Sequence, residues 1–172
     1  MAESKHVKVA GSERQPMPGA VKSGPADPNE RLQVTVVSTQ ADGAIAAPSL
    51  PNLRVVPGLP HDEVLQLMRE SDVLVMPSLF ESYGLAYLEA MAQGTIPIVP
   101  DWEVQRELVD YGRAGVITSG DPADLAEWFE RLSEDAQFRA GLARAARQRF
   151  ETEYAPQAVA RKFASMAARF SQ

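Results

Sequence analysis

Two carboxylates eight residues apart, Glu81 and Glu89, are the residues best placed for chemistry in this sequence. They lie in PSLFESYGLAYLEAMAQG, which passes from an apolar run through a polar loop into a helical pattern that begins near Gly84. Free backbone N–H groups at Gly84 and Leu85, with the positive end of the helix dipole, suit a phosphate or a sugar hydroxyl. Carboxylates accept paired hydroxyl donors, so Glu81 and Glu89 could hold two polyhydroxylated parts of one ligand.

Spacing alone is weak evidence, because an isolated pair of glutamates usually lies on a solvated helix face. The strand-loop-helix setting is what favours a ligand site here. Other conspicuous side chains have plainer interpretations: His61 is expected in a loop or a first helical turn, and Trp102, which follows a strand end, either packs or flanks a ligand. We expect the remaining members of this group to fill the core: Met68, Met76, Met91 and Trp128.

The elements that position the glutamates follow from alternating patterns after residue 32. Apolar, β-branched runs predict strands in LQVTVVS, NLRVV, DVLVMP, TIPIVP and AGVIT. Helical patterns separate them: HDEVLQLMRES, GLAYLEAMAQG closed by Gly94, EVQRELVDYG closed by Gly112, and GDPADLAEWFERL with Asp121 as N-cap. Two more helices are predicted at about 135–150 and 156–170. This order predicts an α/β fold, a single Rossmann-like domain with a parallel sheet whose ligand site lies at the carboxyl ends of strands.

The first 31 residues differ from the rest of the chain. Residues 11–31 hold four prolines and three glycines without a periodic apolar pattern, which indicates a linker. HVKVAG before them alternates apolar and polar positions and is either a short strand or a frayed tail. The expected division is therefore an N-terminal segment, 1–31, and a Rossmann-like domain with C-terminal helices, 32–172.

Composition excludes several functions. The chain has 172 residues, no cysteine and two histidines, so a thiolate zinc site, a cysteine nucleophile and a histidine-rich metal site are excluded. Residues 32–137 carry five basic and 17 acidic side chains, which argues against a nucleic-acid partner. No apolar run is long enough to span a bilayer and no signal sequence is recognisable, so a cytoplasmic protein is expected.

Several landmarks in register resemble the large family of retaining GT-B glycosyltransferases often called family 4. The resemblance rests on PS, E-S-Y-G-L and L-E-A-M-A-x-G, and extends to LPNLRVVPGLPHDEV, RESDVLVMPS and QRELVDYGRAGVI, covering roughly residues 32–150. It implies one half of a GT-B fold, the half that binds a nucleotide-sugar donor such as a UDP- or GDP-sugar. It also implies transfer without a cofactor and, in the usual case, without a protein-held metal.

The resemblance also assigns roles to residues. Glu81 would contact the donor sugar near the reacting centre, as the catalytic residue. Glu89 would hold the ribose hydroxyls. The residues between them would line the sugar and the diphosphate: Ser82, Tyr83, Gly84 and Leu85. Family members usually carry phenylalanine at the position of Tyr83, so this chain adds a hydroxyl that needs a partner.

Two parts of the family pattern are missing from the sequence. The acceptor-binding half is absent, and nothing before Leu32 reproduces the loop and helix whose arginine and lysine bind the diphosphate. In the family topology, the first strand lies between the strands formed here by LQVTVVS and DVLVMP. Since a gap there would leave two unpaired edges, we predict that HVKVAG supplies this strand or that a partner chain does.

The functional expectation is therefore a donor-binding domain of a retaining glycosyltransferase, active when joined to an acceptor domain. The alternative is a non-catalytic binding or interaction module that kept the fold but lost the diphosphate clamp. Residues 138–172 carry seven basic and two acidic side chains. This basic end either packs on the acceptor domain or forms a peripheral contact with the inner membrane surface.

Overall fold

A computed structural model describes residues 7–9, 32–37, 49–56, 58–76 and 81–170, with the backbone alone at 7–9. Six strands form one sheet: β1 (Val7–Val9), β2 (Leu32–Val37), β3 (Leu53–Val56), β4 (Val73–Val75), β5 (Ile96–Pro100) and β6 (Val116–Thr118). The α-helices are α1 (His61–Glu70), α2 (Leu85–Gln93), α3 (Glu103–Leu108), α4 (Pro122–Glu134), α5 (Ala136–Arg149) and α6 (Pro156–Phe170), with a π-helical turn at Phe150–Tyr154.

The sheet is parallel throughout, in the order β3-β2-β1-β4-β5-β6. The chain builds outward from β1 to β3, crosses back to β4, and then builds outward on the other side. This reversal creates a switch point between β1 and β4, where open α/β sheets bind ligands. The parallel α/β fold predicted from the sequence is confirmed.

Strand β1 occupies the centre of the sheet, as predicted for HVKVAG. Val7 pairs with Leu32 of β2, and Val9 pairs with Val73 of β4. The strand therefore joins two halves that would otherwise each end in an unpaired edge. The linker predicted at residues 11–31 lies outside the described residues.

The core has two layers because successive strand residues point to opposite faces of the sheet. On one face Leu74 and Val99 pack against buried residues of α1 and α2, including Met68, Tyr87 and Met91. The other face packs against α4 and α5, with buried side chains at Val73, Ile96, Ile98, Val116, Leu132 and Leu142. Met76 and Trp128 pack at the margins of these clusters, so the core role expected of the methionines and Trp128 is confirmed.

Helix ends were predicted with mixed success. Gly94 ends α2 in the left-handed conformation, and the Asp121 carboxylate caps α4 by accepting from the Ala123 N–H at 2.7 Å, as expected. The prediction that Gly112 closes α3 was wrong: the helix ends at Leu108. Asp110 and Tyr111 already have positive φ angles of 52° and 53°, and left-handed residues cannot continue a right-handed helix.

Candidate functional site

The start of α2 lies at the switch point of the sheet. It follows β4, whose neighbour on one side is β1. Gly84 precedes the helix with a φ of 84°, a conformation that side chains rarely tolerate. A Cβ atom at this position would lie 2.3 Å from Cδ2 of Tyr87, so both the backbone angle and the packing require glycine.

The first turn of α2 is open. No described side chain caps it, and its first turn contains no acidic residue. The Tyr87 N–H donates to the Gly84 carbonyl at 2.9 Å, whereas no described residue accepts a hydrogen bond from the N–H of Gly84 or Leu85. Ser82, Tyr83 and Leu85 are exposed beside it. The arrangement offers backbone donors at the positive end of a helix, the environment that suits an anion or a sugar hydroxyl.

Glu81 lies next to this helix start and is partly buried. A Cβ atom on Gly84 would be 3.5 Å from Cγ of Glu81, which places the glutamate side chain against the start of the turn. Burial, and secondly the Glu81 charge, raise the pKa of the Tyr87 phenol to about 12. The buried Tyr87 hydroxyl donates to the Met76 carbonyl at 3.4 Å. Tyr87 therefore stays neutral and supports the turn from beneath.

Glu89 lies one turn beyond Leu85 on α2 and is about one-third exposed. Its Oε1 is 3.4 Å from Nε2 of His61, the first residue of α1. No described contact joins Glu89 to Glu81. The two glutamates predicted to act on one ligand thus have different neighbours, Glu81 at the helix start and Glu89 beside α1.

The loop after β5 continues the same edge of the sheet. Trp102 precedes α3 and is 37% exposed, so it is neither a core residue nor a free surface residue. Arg106 binds Asp101, and this hydrogen bond with the guanidinium lowers the pKa of the Asp101 carboxyl. The arginine of this loop region is therefore already paired.

The sequence interpretation missed two residues of this region. Tyr87 was not singled out, and His61 was expected only as a loop or first-turn residue. His61 is indeed the first residue of α1, but its contact with Glu89 depends on how α1 packs against α2. No short-range sequence signal encodes that packing. Residues 77–80, which connect β4 to Glu81, lie outside the described residues.

The described residues contain neither a metal-binding cluster nor a membrane-spanning helix. Within them, no group of three or more His, Cys, Asp or Glu side chains is arranged to hold a metal ion. None of the helices described is both long enough and apolar enough to cross a membrane.

Curated relatives include glycosyltransferases of two kinds. The chain is 38% identical over 85 residues to the D-inositol 3-phosphate glycosyltransferase of Paenarthrobacter aurescens, which covers 49% of this chain and 21% of that protein. It is 37% identical over 108 residues to the glycogen synthase of Mycobacterium tuberculosis, covering 62% of this chain and 26% of that protein. The chain therefore spans about a quarter or less of the length of these relatives.

Several solved structures share the fold. Anabaena Alr3699/HepE, in complex with UDP and glucose, aligns with 96% of this chain and 49% of its own, with a TM-score of 0.68 and 18% identity. Sucrose-phosphate synthase from Thermosynechococcus elongatus aligns with 81% of this chain and 39% of its own, with a TM-score of 0.64 and 21% identity. The sequence pattern described as glycosyl transferases group 1 matches residues 44–149, which include the open turn and both glutamates. The chain therefore belongs to the group 1 glycosyl transferases.

Proposed function

We propose that this chain is the donor-binding half of a retaining glycosyltransferase of the family 4 type. The observation that carries the proposal is the open first turn of α2 at the switch point. Glu81 lies against this turn, and Glu89 lies one turn further along α2. A nucleotide sugar presents phosphates, sugar hydroxyls and a ribose diol. These groups match the N–H donors and carboxylate acceptors of this turn.

The proposed roles follow the order of the residues from Glu81 to Glu89. Glu81 contacts the donor sugar near the reacting carbon and is the proposed catalytic residue. Ser82, Tyr83, Gly84 and Leu85 line the sugar and diphosphate, and Glu89 holds the ribose hydroxyls. Support comes from Anabaena Alr3699/HepE, whose structure with this fold contains UDP and glucose.

The acceptor side belongs to another domain or chain. Helix α6 supports this, because four of its apolar side chains are 50% to 91% exposed at helical spacing: Val159, Phe163, Met166 and Phe170. In our proposal this stripe packs on the acceptor-binding half, which completes the enzyme in the cytoplasm. The division at residue 32 belongs to the same proposal: residues 32–172 form the nucleotide-sugar domain, and residues 1–31 add its central strand.

An anionic membrane surface is the alternative contact for α6. Arg161 and Arg169 flank the stripe, whereas Lys162 is paired with Glu153. The absence of acidic residues from α6 is typical of helices that lie on anionic lipid. Co-sedimentation with vesicles separates the two contacts. The vesicles are prepared with and without phosphatidylglycerol. Binding that requires phosphatidylglycerol and is lost in Phe163→Ser supports the membrane contact. No binding to either kind of vesicle supports the contact with the acceptor half.

A non-catalytic binding module is the second candidate function. It is favoured by the arginines of residues 32–137, each of which already has an interaction: Arg54, Arg69, Arg106, Arg113 and Arg131. These five would have to exchange their present partners to neutralise a leaving diphosphate. Loss of one preorganised charge stabiliser costs about 100- to 1000-fold in rate, so a protein that lost this clamp would bind donors weakly and turn over little.

Calorimetry with UDP- and GDP-sugars tests the proposal. We expect one donor to bind, and Glu89→Ala to weaken binding by about 10- to 100-fold, because hydrogen bonds to a charged group contribute about 1.5–3 kcal/mol. Glu81→Ala should also weaken binding of the nucleotide-sugar donor, but it should change the affinity for the free nucleoside diphosphate less. Asp62→Ala, an exposed carboxylate on α1, is the control. Millimolar or weaker binding of every donor would favour the non-catalytic module.

A further inference from the structure

His61 is placed where it can fix the orientation of Glu89. It is the first residue of α1, and its side chain is 67% exposed at the carboxyl edge of the sheet. Helices α1 and α2 pack together, which brings the imidazole Nε2 to 3.4 Å from Oε1 of Glu89. Among the described residues, His61 is the partner of this carboxylate.

This contact leaves one side of the carboxylate available. An ionised carboxylate has two oxygens and about four acceptor positions. With Nε2 beside Oε1, the second oxygen Oε2 and part of Oε1 can still accept hydroxyl donors. The imidazole also limits rotation of a side chain that is one-third exposed and would otherwise sample several rotamers.

The neighbourhood of the pair is acidic rather than basic. Asp62 and Glu63 follow His61 in the first turn of α1, and α2 has no basic residue in its last turn. Among the described residues, no arginine or lysine forms an ion pair with the Glu89 carboxylate. The His61 imidazole, 3.4 Å from Oε1, is the described contact on this surface that can hold the carboxylate in one orientation.

We infer that His61 is a positioning residue that sets Glu89 for the cis-diol of a ribonucleotide, and so contributes to selection of ribonucleoside diphosphates over analogues that lack the diol. The inference rests on the proposed function, because it assumes that Glu89 receives the ribose. Its chemistry is specific: two neighbouring hydroxyls donate to one carboxylate whose orientation is held by its contact with the imidazole. A nucleotide without these hydroxyls gains nothing from that orientation.

The experiment compares two ligands on the same variants. Calorimetry measures the affinities of UDP and 2′,3′-dideoxy-UDP for the wild type, His61→Ala, His61→Gln and Asp62→Ala, with GDP and its dideoxy analogue as a second pair. We expect His61→Ala to weaken the binding of UDP by about three- to tenfold, the size of one polar interaction, and to leave the binding of dideoxy-UDP unchanged. His61→Gln retains an N–H donor and should restore most of the loss, and Asp62→Ala should match the wild type.

The possible failures are distinguishable. If His61→Ala lowers the affinities for UDP and dideoxy-UDP equally, or lowers neither, the positioning role is overturned. If Glu89→Ala leaves the preference for UDP over dideoxy-UDP intact, the ribose role of Glu89 in the proposed function is wrong instead. Since His61 is largely exposed, its variants should melt with the wild type, and circular dichroism verifies this before the affinities are compared.

Discussion

Helices α2 and α4 both begin at the carboxyl edge of the sheet, but their first turns are built in opposite ways. In α4, Asp121 caps the Ala123 N–H, and Asp124 accepts from the Thr118 hydroxyl at 2.6 Å and the Ser119 N–H at 2.8 Å. These hydrogen bonds, chiefly that from Thr118, lower the pKa of the Asp124 carboxyl. In α2, Gly84 offers no side chain and the first turn carries no acid.

The comparison shows how one sheet edge can offer two kinds of helix end. The α4 end is satisfied by its own carboxylates, which would also repel a phosphate. The α2 end has the same helix dipole, but no residue in the described part of the chain accepts from the N–H of Gly84 or Leu85. The side chains at the cap, rather than the backbone, decide which end can receive an anionic ligand.

The largest expected effect comes from closing the open end with a methyl group. Gly84→Ala places Cβ against the Tyr87 ring at a positive φ, so we expect a loss of about 3 kcal/mol in the free energy of unfolding. Denaturant titration measures this loss. Gly94→Ala is the matched control, because Gly94 has a φ of 80° but nothing within 4 Å of its added Cβ. If Gly84→Ala costs no more than Gly94→Ala, packing against Tyr87 does not define the open end.

A smaller effect concerns pH and the tyrosine beneath the open end. The pKa of Tyr87 in the folded protein is about 12, above its ordinary value of 10.0. The neutral phenol therefore contributes fully to the free energy of unfolding below pH 10, and this contribution is lost as the pH rises towards 12. Relative to Tyr87→Phe, the wild type should lose up to about 1.4 kcal/mol per pH unit in this window. Denaturant titrations of both proteins from pH 9 to 12 measure the difference, in which the other tyrosines cancel. Parallel profiles would mean that Tyr87 ionises as readily in the folded protein as in the unfolded chain.

The smallest expected effect comes from opening the closed end. Asp121→Ala removes the α4 cap and should cost about 1 kcal/mol of stability. The substitution should leave nucleotide affinity unchanged, because the Asp121 carboxylate accepts a hydrogen bond from the Ala123 N–H and has no proposed role in ligand binding. Thermal unfolding and calorimetry measure the two quantities together. A change in affinity would show that α4 also contributes to the ligand site, and the contrast between the two ends would no longer hold.

Local features were predictable from the sequence. Gly94 ends α2 and Asp121 begins α4 through hydrogen bonds to residues close by in the chain. The local sequence is therefore enough to predict both helix ends. The central place of HVKVAG was also predictable, because backbone pairing does not tolerate a gap inside a sheet. The Glu81 to Glu89 stretch was recognised from its resemblance, and the family match includes it.

Features that depend on tertiary packing were not predictable. The contact between His61 and Glu89 exists because α1 and α2 lie side by side. The early end of α3 arises from left-handed conformations at Asp110 and Tyr111, residue types that do not demand them. The π-helical turn at Phe150–Tyr154 between α5 and α6 also had no sequence signal.

The central position of β1 has a consequence for folding. The first strand of the chain pairs with both β2 and β4, so the β1–β4 ladder joins residues far apart in sequence, such as Val9 and Val73. Closing so long a loop costs chain entropy before any contact offsets it, which makes this ladder a slow and cooperative step. Unfolding of β1 would separate β2 and β3 from β4, β5 and β6, and it would split the crevice in which the open turn of α2 lies.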